Sequence, residues 1–141
     1  MSLAIPAGLL SRRINAYSET GAARKHALHK DGRRFLRKLA AELGLAKGSF
    51  DVRSNKGGIA VSGEVTLHGD TLYVQLYETV CRSGVRVLYR RCRGRRDYCG
   101  EANHDADPAS LQDEERMRLF VQELRMLGDL APVPDSVRLA A

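Results

Sequence analysis

No apolar run in this 141-residue chain approaches the roughly 18 residues that a membrane-spanning helix requires. Mean hydropathy is −0.34, and a spanning protein is excluded. The first ten residues, Met1 to Leu10, place no basic side chain ahead of their apolar ones. They make a poor secretory signal, so the chain is expected to be cytoplasmic. Cysteine is scarce and odd in number: Cys81, Cys92 and Cys99 argue for reduced thiols, not a disulfide framework. There is no C-x-x-C pair, no RNP motif and no P-loop, because Gly57-Gly58 lacks the Gly-Lys-Ser/Thr continuation. No repeat and no low-complexity linker interrupts the chain.

What is present suffices for a folded unit. The hydrophobic share of 43% is too high for a disordered chain. The length supports one domain with a core of ordinary size. The expected organisation is an N-terminal arm at 1–20, a single domain at 21–128 and a C-terminal tail at 129–141.

Charge is unevenly distributed about a net +6. Residues 1–47 carry ten basic and three acidic side chains, and residues 48–99 carry nine and five. Residues 100–141 reverse the balance, with four basic and nine acidic. Such asymmetry points to a polyanionic partner for the basic part, or to an acidic helix neutralising basic neighbours within one fold.

The periodicity predicts helix, four strands, helix. A first helix is expected from about Gly21 to Leu43, with Leu28, Phe35, Leu36, Leu39 and Leu43 inside one sector of about 100°. His26, Lys30, Arg33, Arg34, Arg37 and Lys38 fall on the opposite side. Asp31-Gly32 threatens a break in its middle, since glycine costs about 1 kcal/mol there relative to alanine. His68-Gly69-Asp70-Thr71 predicts a hairpin with Gly69 and Asp70 at the tip and a positive φ at the glycine. That register pairs Leu67 with Leu72, Val65 with Val74 and Thr66 with Tyr73. A second turn at Cys81-Arg82-Ser83-Gly84 pairs Val80 with Val85 and Leu76 with Tyr89. A short first strand, Phe50 to Arg53, pairs with the start of the Ile59 strand. The last helix is expected to start at Asp107-Pro108 and to stop at Gly128. The expected fold class is α+β: a four-stranded antiparallel meander with the N-terminal and C-terminal helices packed on one face.

Few residues suggest catalysis. Cys81, Cys92, Cys99 and His104 could be arranged as zinc ligands, but their spacing lacks the close pairs of structural sites. The predicted register puts Cys92 opposite Tyr73, far from Cys81, which also excludes a disulfide between them. Cys99 with His104 and Asp97 has the residue types of thiol catalysis without a family signature. Glu78 falls on the apolar face between Val61 and Val87, where a carboxylate must be paired, protonated or near the sheet's end. An ion pair with a first-helix arginine is the expected arrangement. His26 and His29, three apart, are read as solvated. No catalytic residue, metal or cofactor is expected.

The more specific pattern is a basic surface that carries tyrosine. The outer sheet face is predicted to display Tyr73, Tyr77, Arg86 and Arg90, leading into Arg93, Arg95 and Arg96. Guanidinium groups hold phosphates, and tyrosines on a sheet can stack bases. Lys56 and the basic helix face extend the footprint. The helix–sheet order resembles a double-stranded RNA-binding domain in part, but the final helix here is acidic where phosphate-binding lysines would be needed.

Two stretches, Ser54-Asn55-Lys56-Gly57-Gly58-Ile59-Ala60-Val61-Ser62-Gly63-Glu64 and Cys92-Arg93-Gly94-Arg95-Arg96-Asp97-Tyr98 with Gly100 and Asn103-His104, are similar to segments of uncharacterised small proteins of bacterial plasmids and other mobile elements. The resemblance covers about a quarter of the chain and implies a bacterial cytoplasmic setting and an accessory role, with no catalytic residues. Cys99 stands where the resemblance would place threonine.

The expected function is therefore a small non-enzymatic accessory protein that binds nucleic acid or a nucleoprotein complex through this surface. Two rivals follow from the same residues. One is a protein-interaction module or inhibitor encoded by a mobile element, docking on the sheet face or the edge of the 85–92 strand. The other is an enzyme using Glu78 or Cys99.

Overall fold

A computed structural model describes residues 19–57, 63–78 and 85–131. Helix α1 spans Glu19–Glu42 and is followed by strands β1 (Phe50–Asn55), β2 (Glu64–Gly69), β3 (Leu72–Glu78) and β4 (Val85–Arg91). A short strand β5 (His104–Ala106), a 3-10 turn (Pro108–Gln112) and helix α2 (Glu114–Leu127) complete the order. The sheet is an antiparallel meander in the order β1-β2-β3-β4-β5, so it has five strands where four were expected. The fold class α+β stands.

Helix α1 runs through Asp31-Gly32 without a break. The missing side chain at Gly32 is what lets the helix approach the sheet: a Cβ there would lie 3.1 Å from Val65 Cγ2 and 3.4 Å from Leu76 Cδ1. Close packing thus offsets the helical cost of glycine. The helix stops at Gly44, whose φ of 74° is the left-handed conformation that glycine adopts freely. The Leu45 N–H reaches the Ala40 carbonyl and the Gly44 N–H reaches that of Ala41, the paired bonds of a glycine-terminated helix.

Alternation along the strands sorts the sheet into two faces. Val65, Leu76 and Val87 align in one row, and Leu67, Val74 and Tyr89 in the next. These residues join Leu36, Leu39 and Leu43 of α1 with Met117, Phe120 and Leu124 of α2 in one hydrophobic cluster. Burying each such aliphatic side chain contributes about 1.5–3 kcal/mol. Tyr89 anchors α2 through an edge contact with Phe120, and its hydroxyl donates to Glu123 at 2.7 Å. Burial first, then Glu123, pushes this phenol upward in pKa.

The faces match expectation, but the register differs by two residues. Leu67 pairs with Val74 instead of Leu72, Val65 with Leu76 instead of Val74, and Val74 with Tyr89. The β2–β3 tip is centred on Asp70-Thr71, and Gly69 does not take a positive φ. A shift of two preserves the side-chain alternation, so the buried set is unchanged. The Cys92 N–H accordingly reaches the Thr71 carbonyl, two residues beyond the expected partner Tyr73. The first strand departs further: it runs to Asn55, and Phe50 to Arg53 pair with Gly69 to Thr66, not with the start of the Ile59 strand. The expected pairings of Ile59 to Ser62 with β3 and of Thr79 to Gly84 lie outside the described residues, as do most of the expected arm and tail.

The C-terminal helix begins later than expected. Asp107 caps only the 3-10 turn, accepting from Ala109 N–H, and Asp113 then caps α2, accepting from Arg116 N–H. Gly128 caps its end, but the positive φ falls on Asp129. No helix among the described residues is long and apolar enough to cross a membrane.

Replacing Gly32 by leucine should overpack α1 against Val65 and Leu76 and destabilise the fold by about 1–3 kcal/mol. Chemical denaturation checks this, and an unchanged midpoint would show that the close approach is not needed.

Candidate nucleic-acid interface

The polar sheet face is built in three rows. Asp51, His68, Tyr73 and Arg90 form the first, Arg53, Thr66, Gln75, Leu88 and Asp105 the second, and Asn55, Glu64, Tyr77 and Arg86 the third. The first row is not open to solvent. Tyr73 is 7% exposed, Arg90 8% and His68 0%, because the segment 93–103 folds over them.

Arg90 lies over the Tyr73 ring at 4.0 Å from its centroid. It donates to the Tyr98 carbonyl at 2.6 Å and to Asn103 Oδ1 at 3.2 Å. Tyr73 donates to Gln75 Oε1 at 2.8 Å, and burial raises its pKa. Gly100 makes the closure possible: its φ is 59°, and a Cβ would come within 2.8 Å of Arg90 Cδ. The Asp97 carboxylate ties the turn, accepting from the N–H groups of Gly100, Arg93 and Cys99. Those bonds, Gly100's first, hold its pKa below the ordinary carboxylate range.

His68 is the centre of this clasp. Its Nε2 is 2.9 Å from the Gly94 carbonyl, and its Nδ1 is 3.1 Å from Arg53 Nη2. A carbonyl only accepts and a guanidinium only donates, so the ring is neutral with its proton on Nε2. Burial first, then the Arg53 and Arg90 charges, lowers its pKa, although the Gly94 carbonyl pulls the other way. Tyr98 packs edge-on at 5.4 Å, with Arg53 donating to its hydroxyl.

This geometry revises the expected site. Tyr73 cannot stack a base, because its ring is covered, and Arg90 cannot reach a phosphate. Both are structural parts of the clasp. Tyr77 and Arg86 stay partly exposed, but Glu64 faces Tyr77 across the strands, and the Tyr77 hydroxyl donates to Asp105 at 3.3 Å. The open part of the sheet is thus mixed in charge. Arg93, Arg95, Arg96 and Lys56 are exposed. Arg95 lies 3.8 Å from Asp51 and 3.7 Å from Asp70, exposed pairs of small worth.

The other candidates separate. Glu78 is the last residue of β3, half-buried opposite Val85, near the sheet's end rather than deep on the apolar face. Cys99 is exposed, and Asp97 beside it is occupied with backbone N–H groups. His104 is paired across from Tyr89 and stacked on its ring at 5.3 Å, on the face opposite the clasp. Cys92 is buried with its thiol donating to the Gly69 carbonyl, and burial raises its pKa. The Cys99, Asp97 and His104 combination therefore does not converge. No group of three His, Cys, Asp or Glu among the described residues could hold a metal. His29 is buried at 1% exposure, unlike His26, so the two histidines do not share a solvated surface. The β4 edge, expected to be free, is paired with β5 at Val87, Leu88 and Tyr89.

The strongest basic feature is on α1. Lys30, Arg34, Arg37 and Lys38 are all exposed, with Arg33 half-buried beside them. At 100° per residue the five fall within about 140°, opposite the buried stripe, and between residues 22 and 42 no acidic residue lies in that sector. Arg33 donates to Ser54 Oγ at 2.6 Å. The same sequence periodicity reveals this ridge, but not that it outranks the sheet face.

Comparison with protein families, curated proteins and solved structures finds no match to the chain, so the reading of the site rests on its geometry.

Because the folded-state pKa of His68 lies below its ordinary value near 6.5, the unfolded chain binds the extra proton first. The stability this group contributes is present above about pH 6.5 and is lost as pH falls toward the folded value. Urea midpoints between pH 8 and 5 should show that decline in the native protein and a smaller one in His68→Gln. Gly100→Ala should destabilise at all pH values by at least about 1 kcal/mol, since alanine is strained at that φ and crowds Arg90.

Proposed function

We propose that this protein is a small non-enzymatic nucleic-acid-binding module whose principal contact surface is the α1 ridge of Lys30, Arg34, Arg37 and Lys38. Both helices are read as covering the apolar face of the sheet, which turns the ridge outward. The observation that carries the proposal is a solvent-facing sector of cations, without an acidic residue between residues 22 and 42, on a helix already held by its opposite side. Arginine and lysine in such an array hold phosphates through charge and paired hydrogen bonds. The exposed Arg93, Arg95, Arg96 and Lys56 add to the positive field without sharing the ridge. An accessory role, as in the plasmid and mobile-element proteins that two stretches resemble, is compatible with this reading and assigns no residue to it.

Arg34→Glu/Arg37→Glu should weaken binding to a mixed nucleic-acid probe at low salt by at least about tenfold, measured by mobility shift. Tyr77→Phe should leave it within about twofold. Binding that survives the double charge reversal would move the contact surface elsewhere. No binding by the native protein at low salt would end the nucleic-acid reading.

A further inference from the structure

We infer that the ligand of the α1 ridge is double-stranded nucleic acid, held by its phosphate backbone with little regard to base sequence. The inference rests on the nucleic-acid reading and narrows it.

Three properties of the ridge lead there. First, it is straight and fixed. Lys30 and Lys38 are eight residues apart, about 12 Å along a helix axis, and Gly32 locks the helix against Val65 and Leu76 on its other side. Over about 12 Å a duplex presents about seven phosphates, whereas one strand at about 3.4 Å per phosphate presents three or four. A stiff row of cations therefore gains most from the stiffer and denser polyanion, while a single strand must first be straightened.

Second, the ridge offers no phenylalanine, tyrosine or tryptophan for a base to stack on. The only such residue of α1 is Phe35, which is 2% exposed and points into the core. Proteins that hold single strands combine positive charge with aromatic platforms, and here Tyr73 is covered and Tyr98 is engaged by Arg53. Third, the exposed residues of α1 from 22 to 41 are alanine, arginine, lysine and His26 only. No asparagine or glutamine is available for the paired contact to adenine, so the arginines' contact to guanine is the one direct base readout open to the ridge.

Fluorescence anisotropy with the full chain tests this on four probes of one 20-mer sequence: DNA duplex, RNA duplex and the two single strands. The expected result at 50 mM salt is duplex binding at least about tenfold tighter than strand binding. The DNA and RNA duplexes should agree within about threefold, as should a duplex of scrambled sequence. With four free cations, log K against log salt should have a slope near −3.6 on duplex DNA, and Arg34→Gln/Arg37→Gln should reduce its magnitude by about 1.8 with a melting temperature that does not fall. Single strands bound as tightly as duplexes, with the ridge variant still defective, would overturn the duplex inference and leave the nucleic-acid reading intact. A slope unchanged in the variant would overturn the assignment to the ridge. Absence of binding to all four probes would overturn both.

Discussion

The two-residue period of β2, β3 and β4 governs what this protein can show to solvent. Val65, Leu76 and Val87 align in one row and Leu67, Val74 and Tyr89 in the next, and the cluster they form with both helices is the core. Committing these rows to the interior sends Thr66, His68, Tyr73, Gln75, Tyr77, Arg86 and Arg90 to the other face. That face then needs its own solution, because a phenol, an imidazole and a guanidinium in one row cannot be left half-covered without partners. The segment after β4 supplies it by folding back across the row.

The clasp this creates keeps a buried positive charge without a carboxylate. Arg90 is met by the Tyr98 carbonyl, Asn103 Oδ1 and the face of Tyr73, all neutral. A guanidinium is less strongly hydrated than an ammonium and can use flat partners, which makes this environment tolerable for arginine and poor for lysine. Asp97, an acid in the covering segment, spends its oxygens on three backbone N–H groups and so shapes the turn. His68 completes the arrangement as a neutral spacer between Arg53 and the Gly94 carbonyl.

What the sequence made legible follows from which physical signals are local. Side-chain alternation is local, so the buried faces of β2, β3 and β4 were readable, and a two-residue slip left them intact. Register depends on the turn, and a glycine at 69 drew the tip one position early because its backbone freedom was assumed to be in use. Strand β5 has only three residues, His104–Ala106, too few for a period to register. The cover over Tyr73 and Arg90 depends on contacts between β2 or β4 and residues up to about thirty positions away. Nothing in Asn103 or Tyr98 alone announces them. Gly100 was the available hint, since a glycine after a polar turn often marks a left-handed residue or a close approach, and here it marks both.

The α1 ridge differs from the clasp in that, among the described residues, Lys30, Arg34, Arg37 and Lys38 make no ion pair that would put their charge to structural use. Lys30 and Arg34, Arg33 and Arg37, and Arg34 and Lys38 are each four apart, a spacing at which like charges destabilise a helix by a few tenths of a kcal/mol per pair. The helix bears this because Leu36, Leu39 and Leu43 on its other side are fully buried. A fold that needed only a solvated surface there could alternate the signs, as α2 does by setting Arg118 against Glu115 three residues earlier. On the proposed reading the repulsion has a counterpart in the ligand: a polyanion laid along the ridge removes it, so binding and helix stability rise together through the same four side chains. That linkage gives the unbalanced face of α1 a physical rationale that packing alone does not provide.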